Sequence, residues 1–312
     1  MTVLHRGRGW LLGMLVAVGV LGCGREAPPA PAPVALDKTF LADNAAWREA
    51  RLTELRAPDG WTSLVGLHWL SLKAHYIGRS ADSGIRLAVG PPKMGMVSSE
   101  RDALWFVPER GAALTVGGKP LTGKIRFQSD VDPQPTLIGF DDGKGVLSLI
   151  HRGDRYALRV KHADAPSRTG FAGLEYWPID PSWRIQARYV PNNVGKTIPI
   201  VDIVGISSEQ PNAGAIEFER DGKTYRLEAI GEPGRPMFVV FADRTSGHGS
   251  YSAGRFLDLE APDASGHVVV DFNRAINPPC AFTPFATCPL PPPENRIDLA
   301  VSAGEKAYKA AH

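Results

Sequence analysis

From Trp61 onward the chain reads as short apolar or alternating runs separated by turn signals, the pattern of strands. Residues 146–150 and 156–160 flank Gly153-Asp154, and residues 215–218 and 224–230 flank Asp221-Gly222. Both are hairpin signals, because Asp-Gly and Gly-Asp pairs tolerate the turn conformations that hairpins need. Trp183, Ile185, Ala187 and Tyr189 alternate with Arg184, Gln186 and Arg188, which predicts a strand with one face buried. Residues 237–242 form a continuous apolar strand, and two more strands follow at 255–259 and 267–272. The only helical period lies earlier, over residues 37–56. There Leu41, Ala45, Leu52 and Leu55 share a stripe, and Pro58 and Gly60 end it. No strand–helix–strand rhythm appears. The pattern predicts a mainly β fold: one N-terminal helix on two abutting antiparallel units, at residues 37–165 and 166–312.

The first 36 residues follow other rules. His5, Arg6 and Arg8 precede an apolar run over residues 10–21, too short for a comfortable permanent span. The run ends in Val20-Leu21-Gly22-Cys23, which resembles the lipobox of bacterial lipoproteins. That resemblance implies a signal peptide at 1–22, cleavage before Cys23 and diacylation of its thiol; the alternative is an ordinary secretory signal. Several acyl chains hold a protein stably where one would not. Residues 23–36 are a Pro-rich linker. Gly24 stands where the inner-membrane retention pattern has Asp, which points to the outer membrane. The expected location is the periplasmic side of the cell envelope, with the membrane reached through the lipid anchor.

Composition narrows the partners. The formal net charge is +2 with both signs interspersed, so nucleic acid is not an expected partner. The histidines show neither His-x3-His nor His-Glu-x2-His pairing, and no Gly-x4-Gly-Lys-Ser/Thr loop occurs. Ser250 displaces the first glycine of a Gly-x-Ser-x-Gly elbow around Ser252. No metal site and no cofactor are implied.

The most unusual stretch is 268–306, a strand followed by a long segment rich in Asn, Pro, Cys and Arg. Phe272, Ile276, Phe282, Phe285 and Leu290 give it too much apolar surface to stay solvated, so an ordered loop over a core is expected. DFNRAINPPCAFTPFATCPLPPPENR within it, with GWTSLVGLHWL at 60–70, resembles the bacterial domain-of-unknown-function family 1684 over about residues 47–306. The resemblance implies kinship and brings no activity with it. Relatives in that family carry Asp-x-Thr-x-Gly and Tyr…Gly-Arg, matched here by Asp243, Thr245, Gly247, Tyr251, Gly254 and Arg255. Ser250 stands where they often have Thr. Separately, residues 76–87 and the later VGGKPL resemble a forkhead-associated sandwich in shape, without its Ser-x-x-His phosphopeptide signature.

Candidate chemistry collects in these loops. Asp243, Tyr251 and Arg255 are either ligand anchors or a turn cap and ion pair. Asn273 and Asn277 bind a ligand or satisfy their own loop's backbone. Glu294 and Arg296 read as ligand-facing. Cys280 and Cys288 form a disulfide, stay as buried thiols or hold a metal. An oxidising compartment favours the disulfide, which would contribute about 2–3 kcal/mol in the chain-entropy model. Two functions follow. One is binding of an envelope component (a glycan, small molecule or protein) in a polar cleft, with Thr245, Tyr251, Arg255, Asn273, Asn277 and Arg296 as contacts. The other is a metal-independent hydrolase or lyase using Asp243 and Glu294 as acid and base. Binding is favoured, because no complete catalytic constellation is legible. A meander of the strands at 237–242, 255–259 and 267–272 would bring both polar loops to one shared cleft.

Overall fold

Asp37 is the N-cap of helix α1 (Lys38–Arg56): its Oδ1 accepts the backbone N–H of Thr39 at 2.9 Å, relieving one open donor of the first turn. The computed structural model describes residues 37–309 apart from Asp102. The signal segment 1–22, Cys23 and the linker 23–36 lie outside the described residues.

The expected apolar stripe is not what α1 buries. Of Leu41, Ala45, Leu52 and Leu55 only Leu55 is buried, and Ala45 is exposed. The inward face is Asn44, Arg51 and Leu55, with Arg48 half-buried among them. This face is polar because its dock is polar. Arg51 Nε donates to Glu305 at 3.0 Å and Nη2 to the Asn277 carbonyl at 3.2 Å, while Arg48 Nη2 reaches the Trp177 carbonyl at 3.4 Å. Among the described residues no helix is long and apolar enough to cross a membrane.

The first β unit has eleven strands: β1 (Leu64–Trp69), β2 (Ala74–Gly78), β3 (Ile85–Arg86), β4 (Gly95–Glu100), β5 (Ala103–Pro108), β6 (Thr115–Val116), β7 (Lys119–Pro120), β8 (Ile125–Arg126), β9 (Leu137–Phe140), β10 (Gly145–Arg152) and β11 (Arg155–His162). They form one sheet in the order β1-β11-β10-β9-β6-β7 and another in the order β3-β2-β4-β5-β8. All pairs are antiparallel except the two-residue contact of β2 with β3. Between the sheets lies a core that includes Ile77, Val97, Phe106, Ile138, Leu147 and Leu158. On β11 the period of two sends Leu158 and Val160 into this core. Ala157 and Arg159 turn to the opposite face, where both are buried nonetheless.

The second unit is one sheet of β12 (Arg184–Pro191), β13 (Thr197–Val201), β14 (Ser207–Arg220), β15 (Lys223–Ile230), β16 (Met237–Phe241), β17 (Arg255–Leu259) and β18 (His267–Asp271). Its order is β17-β16-β15-β14-β12-β18, with β13 on β14. The Asp221-Gly222 hairpin forms as the pattern predicts, with φ of 51° and 73° at those two residues. The expected meander does not. β16 pairs with β17, but β18 sits at the opposite edge against β12. The sheet curls enough that Phe256 of β17 exchanges two 2.9 Å backbone hydrogen bonds with Ile276, five residues past β18. Inside the curl are Ile216, Leu227, Val239, Phe241, Val270 and Phe272. The stretch 297–303 closes this core, with Ile297, Leu299, Val301 and Ala303 buried and Asp298, Ala300 and Ser302 exposed.

The two units meet on the outer face of the β1–β11–β10 sheet. Leu64 packs there with Val240, Phe256, Ala286 and Cys288 of the second unit.

Candidate functional site

The segment after β18 returns along the end of β16. Ala242 donates to the Asn295 carbonyl at 3.0 Å and accepts from Ile297 at 2.9 Å, and Tyr251 Oη donates to the Cys280 carbonyl at 3.1 Å. The two polar loops therefore touch, by a curled sheet and not by a meander. They do not make the expected cleft. Asp243 and Arg255 point inward with side chains 0 % and 1 % exposed, whereas Glu294 and Arg296 face solvent.

The inward group is an internal clamp. Arg255 Nη2 lies 2.8 Å from Asp243 Oδ2 and also donates to the Val301 carbonyl at 2.8 Å; Nη1 donates to the Ala303 carbonyl. Asp243 Oδ2 accepts the Val301 N–H at 3.0 Å, and Oδ1 accepts from Thr245 N and Oγ1 at 2.9 and 2.7 Å. Both carboxylate oxygens are occupied, and neither is open to a substrate. What the clamp holds is residues 301–303 against the core. Burial pushes the Arg255 guanidinium down while the Asp243 charge beside it pulls the other way.

Asn273 and Asn277 are likewise turned inward. The Asn273 side chain accepts from Asp180 N at 3.0 Å and donates to the Asp180 carbonyl at 2.9 Å. Asn277 gives its backbone N–H to Glu305 Oε2 at 2.6 Å and its side-chain N–H to the Lys306 carbonyl at 2.7 Å. Glu305 is fully buried, and burial raises its carboxyl pKa against the pull of Arg51. Around it, Asn277 Oδ1, Tyr176 Oη and Arg48 Nε have no hydrogen-bond partner among the described residues. This polar chamber under α1 was missed in sequence, since its members lie as far as 254 positions apart.

Cys280 and Cys288 are free thiols in this structure, which corrects the expected disulfide. Cys288 is buried among Leu64, Val240 and Phe256, and its Sγ accepts the Cys280 backbone N–H at 3.0 Å. As thiols the pair pack as small apolar side chains and still satisfy a backbone donor. The hydrogen bond between them holds the Cys280 thiol below its ordinary value and raises that of Cys288.

Among the described residues a larger opening lies elsewhere, between the units. It encloses about 540 Å³, within the usual range for small-molecule sites. From the first unit come Val131 and the β10–β11 turn at His151, Arg152 and Gly153; from the second come Ile200, Asp202, Ile206, Ser208, Gln210, Ile230 and Phe238. Thr287 and Pro289 form a third side. That side is fixed by backbone bonds from Ile203 N to the Cys288 carbonyl (2.8 Å) and from Leu290 N to the Val201 carbonyl (2.8 Å). Asp202 Oδ1 ties the neighbouring turn by accepting Val204 N and Ile206 N at 3.0 and 2.8 Å. On the first unit, Asp130 grips Arg152 with both oxygens at 3.1 and 2.7 Å, and His151 stacks on Tyr156 at 4.1 Å. The walls are thus rigid and mixed in character. Of the candidate site residues singled out in sequence none lines this opening, though Thr287 and Pro289 fall inside the stretch 268–306. Its remaining lining comes from strands that look ordinary one at a time.

Comparison with known proteins bears on kinship. The model of the family described as "Protein of unknown function (DUF1684)" matches residues 169–306, a shorter span than the 47–306 expected from sequence. No curated protein matches the chain. Among solved structures, the solution NMR structure of an uncharacterized protein of Haloarcula marismortui is 31 % identical. The match covers 45 % of this chain and 78 % of that one, with a TM-score of 0.38. The matched residues include the clamp, both asparagines, the cysteine pair and Glu305, and on this match the chain belongs to the DUF1684 family of proteins of unknown function.

Proposed function

We propose that this chain is a ligand-binding protein of the cell envelope, taking a small molecule in the cleft between its two β units. The cleft itself carries this reading: a wide opening with an apolar floor of Ile200, Ile230 and Phe238 and a rim of Ser208, Gln210 and Thr287. Such a surface holds a ligand by burial and orients it by a few hydrogen bonds. Binding is favoured over the hydrolase or lyase alternative, because Asp243 is sealed within an ion pair while Glu294 stands in solvent. A general base must come within hydrogen-bond reach of the proton it takes. Anchoring through a diacylated Cys23 and the linker 23–36 would hold the cleft at the membrane's periplasmic side, with envelope-derived molecules as ligands.

Two experiments test this. A thermal-shift screen of envelope metabolites and glycan fragments is run on the wild type and on Ser208→Trp, which fills the half-buried rim without touching the core. Hits should vanish in the variant; hits that persist unchanged would move the ligand out of the cleft. Separately, Cys23→Ser should shift the protein from the membrane to the soluble periplasmic fraction, and unchanged fractionation removes the anchor.

A further inference from the structure

Among the described residues three arginines are buried, and two of them sit against carboxylates. Arg255 has Asp243, and Arg51 has Glu305 and Glu54. The third, Arg159, is only 9 % exposed and has no carboxylate within ion-pair distance among the described residues. Its Nε has no hydrogen-bond partner among the described residues. Its Nη2 reaches Thr287 Oγ1 at 3.5 Å, a long and weak contact, and its guanidinium lies 5.5 Å from the Trp61 ring centroid. The obvious counter-ion, Asp130, is already engaged by Arg152. Arg152 adds a like charge, so burial and its neighbour together press the Arg159 pKa down. A buried charge without a partner is expensive, and proteins keep one where something else completes it.

Thr287, the residue Arg159 touches, lines the cleft, and so do Arg152 and Asp202, the latter with its Oδ1 taken up by the Val204 and Ile206 N–H groups. The cationic end of the cleft therefore adjoins the apolar floor of Ile230 and Phe238. We propose that the cleft ligand is a small anionic amphiphile, its carboxylate or phosphate placed between Arg159 and Thr287 and its apolar part laid on Ile200, Ile230 and Phe238. This rests on the cleft reading given under Proposed function. Thr287 Oγ1 donates to the same anion, and Arg159 supplies the charge-assisted hydrogen bonds that a neutral ligand cannot use.

The test uses three probes of one chain length: octanoate, octyl phosphate and octanol, titrated calorimetrically into the wild type, Arg159→Met, Arg159→Gln and Ser208→Trp. At least one charged probe should bind the wild type about tenfold or more tighter than octanol. Octanoate and octyl phosphate separate a carboxylate source from a phosphate source. In Arg159→Met that preference should disappear while octanol binding persists, and the variant should melt no lower than the wild type because it loses an unpaired buried charge. Arg159→Gln gives the same reading should the methionine variant fold poorly. A preference that survives both substitutions, or no preference in the wild type, overturns the anion site while leaving the cleft intact. Octanol binding that Ser208→Trp leaves untouched overturns the cleft reading, and the anion site with it.

Discussion

The Asp243–Arg255 pair can be tested as a structural clamp by taking it apart. In Asp243→Leu the Arg255 guanidinium stays in a site 1 % exposed with its counter-ion gone, and the Thr245 and Val301 N–H groups lose an acceptor. Breaking one side of a buried ion pair costs about 3–5 kcal/mol, and a stranded buried donor about 1–3 kcal/mol more. We therefore expect a loss of about 4–6 kcal/mol, the two contributions overlapping in part. At about 2–4 °C per kcal/mol for a body of this size, the melting temperature falls by roughly 8–24 °C. Arg255→Met strands Asp243 instead and should cost a similar amount. The double variant removes both charges together, so its loss should fall well short of the sum, with a coupling of about 2–3 kcal/mol. Urea and thermal melts followed by tryptophan fluorescence measure all four corners. Strict additivity, or single losses below about 1 kcal/mol, would refute the clamp and reopen Asp243 as a functional group.

Gly254 has φ of +96°, and a Cβ there would meet the Phe241 carbonyl oxygen and Pro291 Cγ at 2.6 Å each; Gly254→Ala should destabilise by about 1–3 kcal/mol or more in the same melts. His75 Nε2 accepts the N–H groups of Ser71 and Leu72 at 3.2 and 3.0 Å, and burial lowers its pKa. The folded state thus binds fewer protons than the unfolded one, so this contribution is whole above about pH 6.5 and is lost as pH falls through the folded pKa. An NMR titration should place the His75 midpoint below that of an ordinary exposed imidazole, and a normal His75 midpoint would contradict it. In the reduced protein, iodoacetamide should label Cys280 ahead of Cys288, read by mass spectrometry; equal rates would argue against the hydrogen-bonded arrangement of the pair.

Local chemistry made much of the fold legible. Asp221-Gly222 demanded a tight hairpin and made one, and the alternation around Trp183 through Tyr189 corresponds to β12. What failed was long range. The dock for α1 could not be read because an amphipathic stripe assumes an apolar partner, and Glu305 and the Asn277 carbonyl are polar ones. β18 was placed beside β17 on the rule that consecutive strands pair, but the curled sheet takes it to β12. In the loops, Asp243 and Arg255 looked equally like a site and a staple, and only burial decides between them. Arg159 carried no signal at all. On a strand reading Arg155-x-Ala157-x-Arg159-x-Lys161, that face looks solvent-facing until a second unit packs on it.

The contact between Arg51 and Glu305 joins residues 254 positions apart, so α1 finds its dock only when the stretch around Glu305 has been made. Loop-closure entropy makes such late pairings slow to form. A chain built this way delays its own completion: α1 stays unclasped until Glu305 is synthesised. That delay keeps the body pliable while the intervening strands are made and paired.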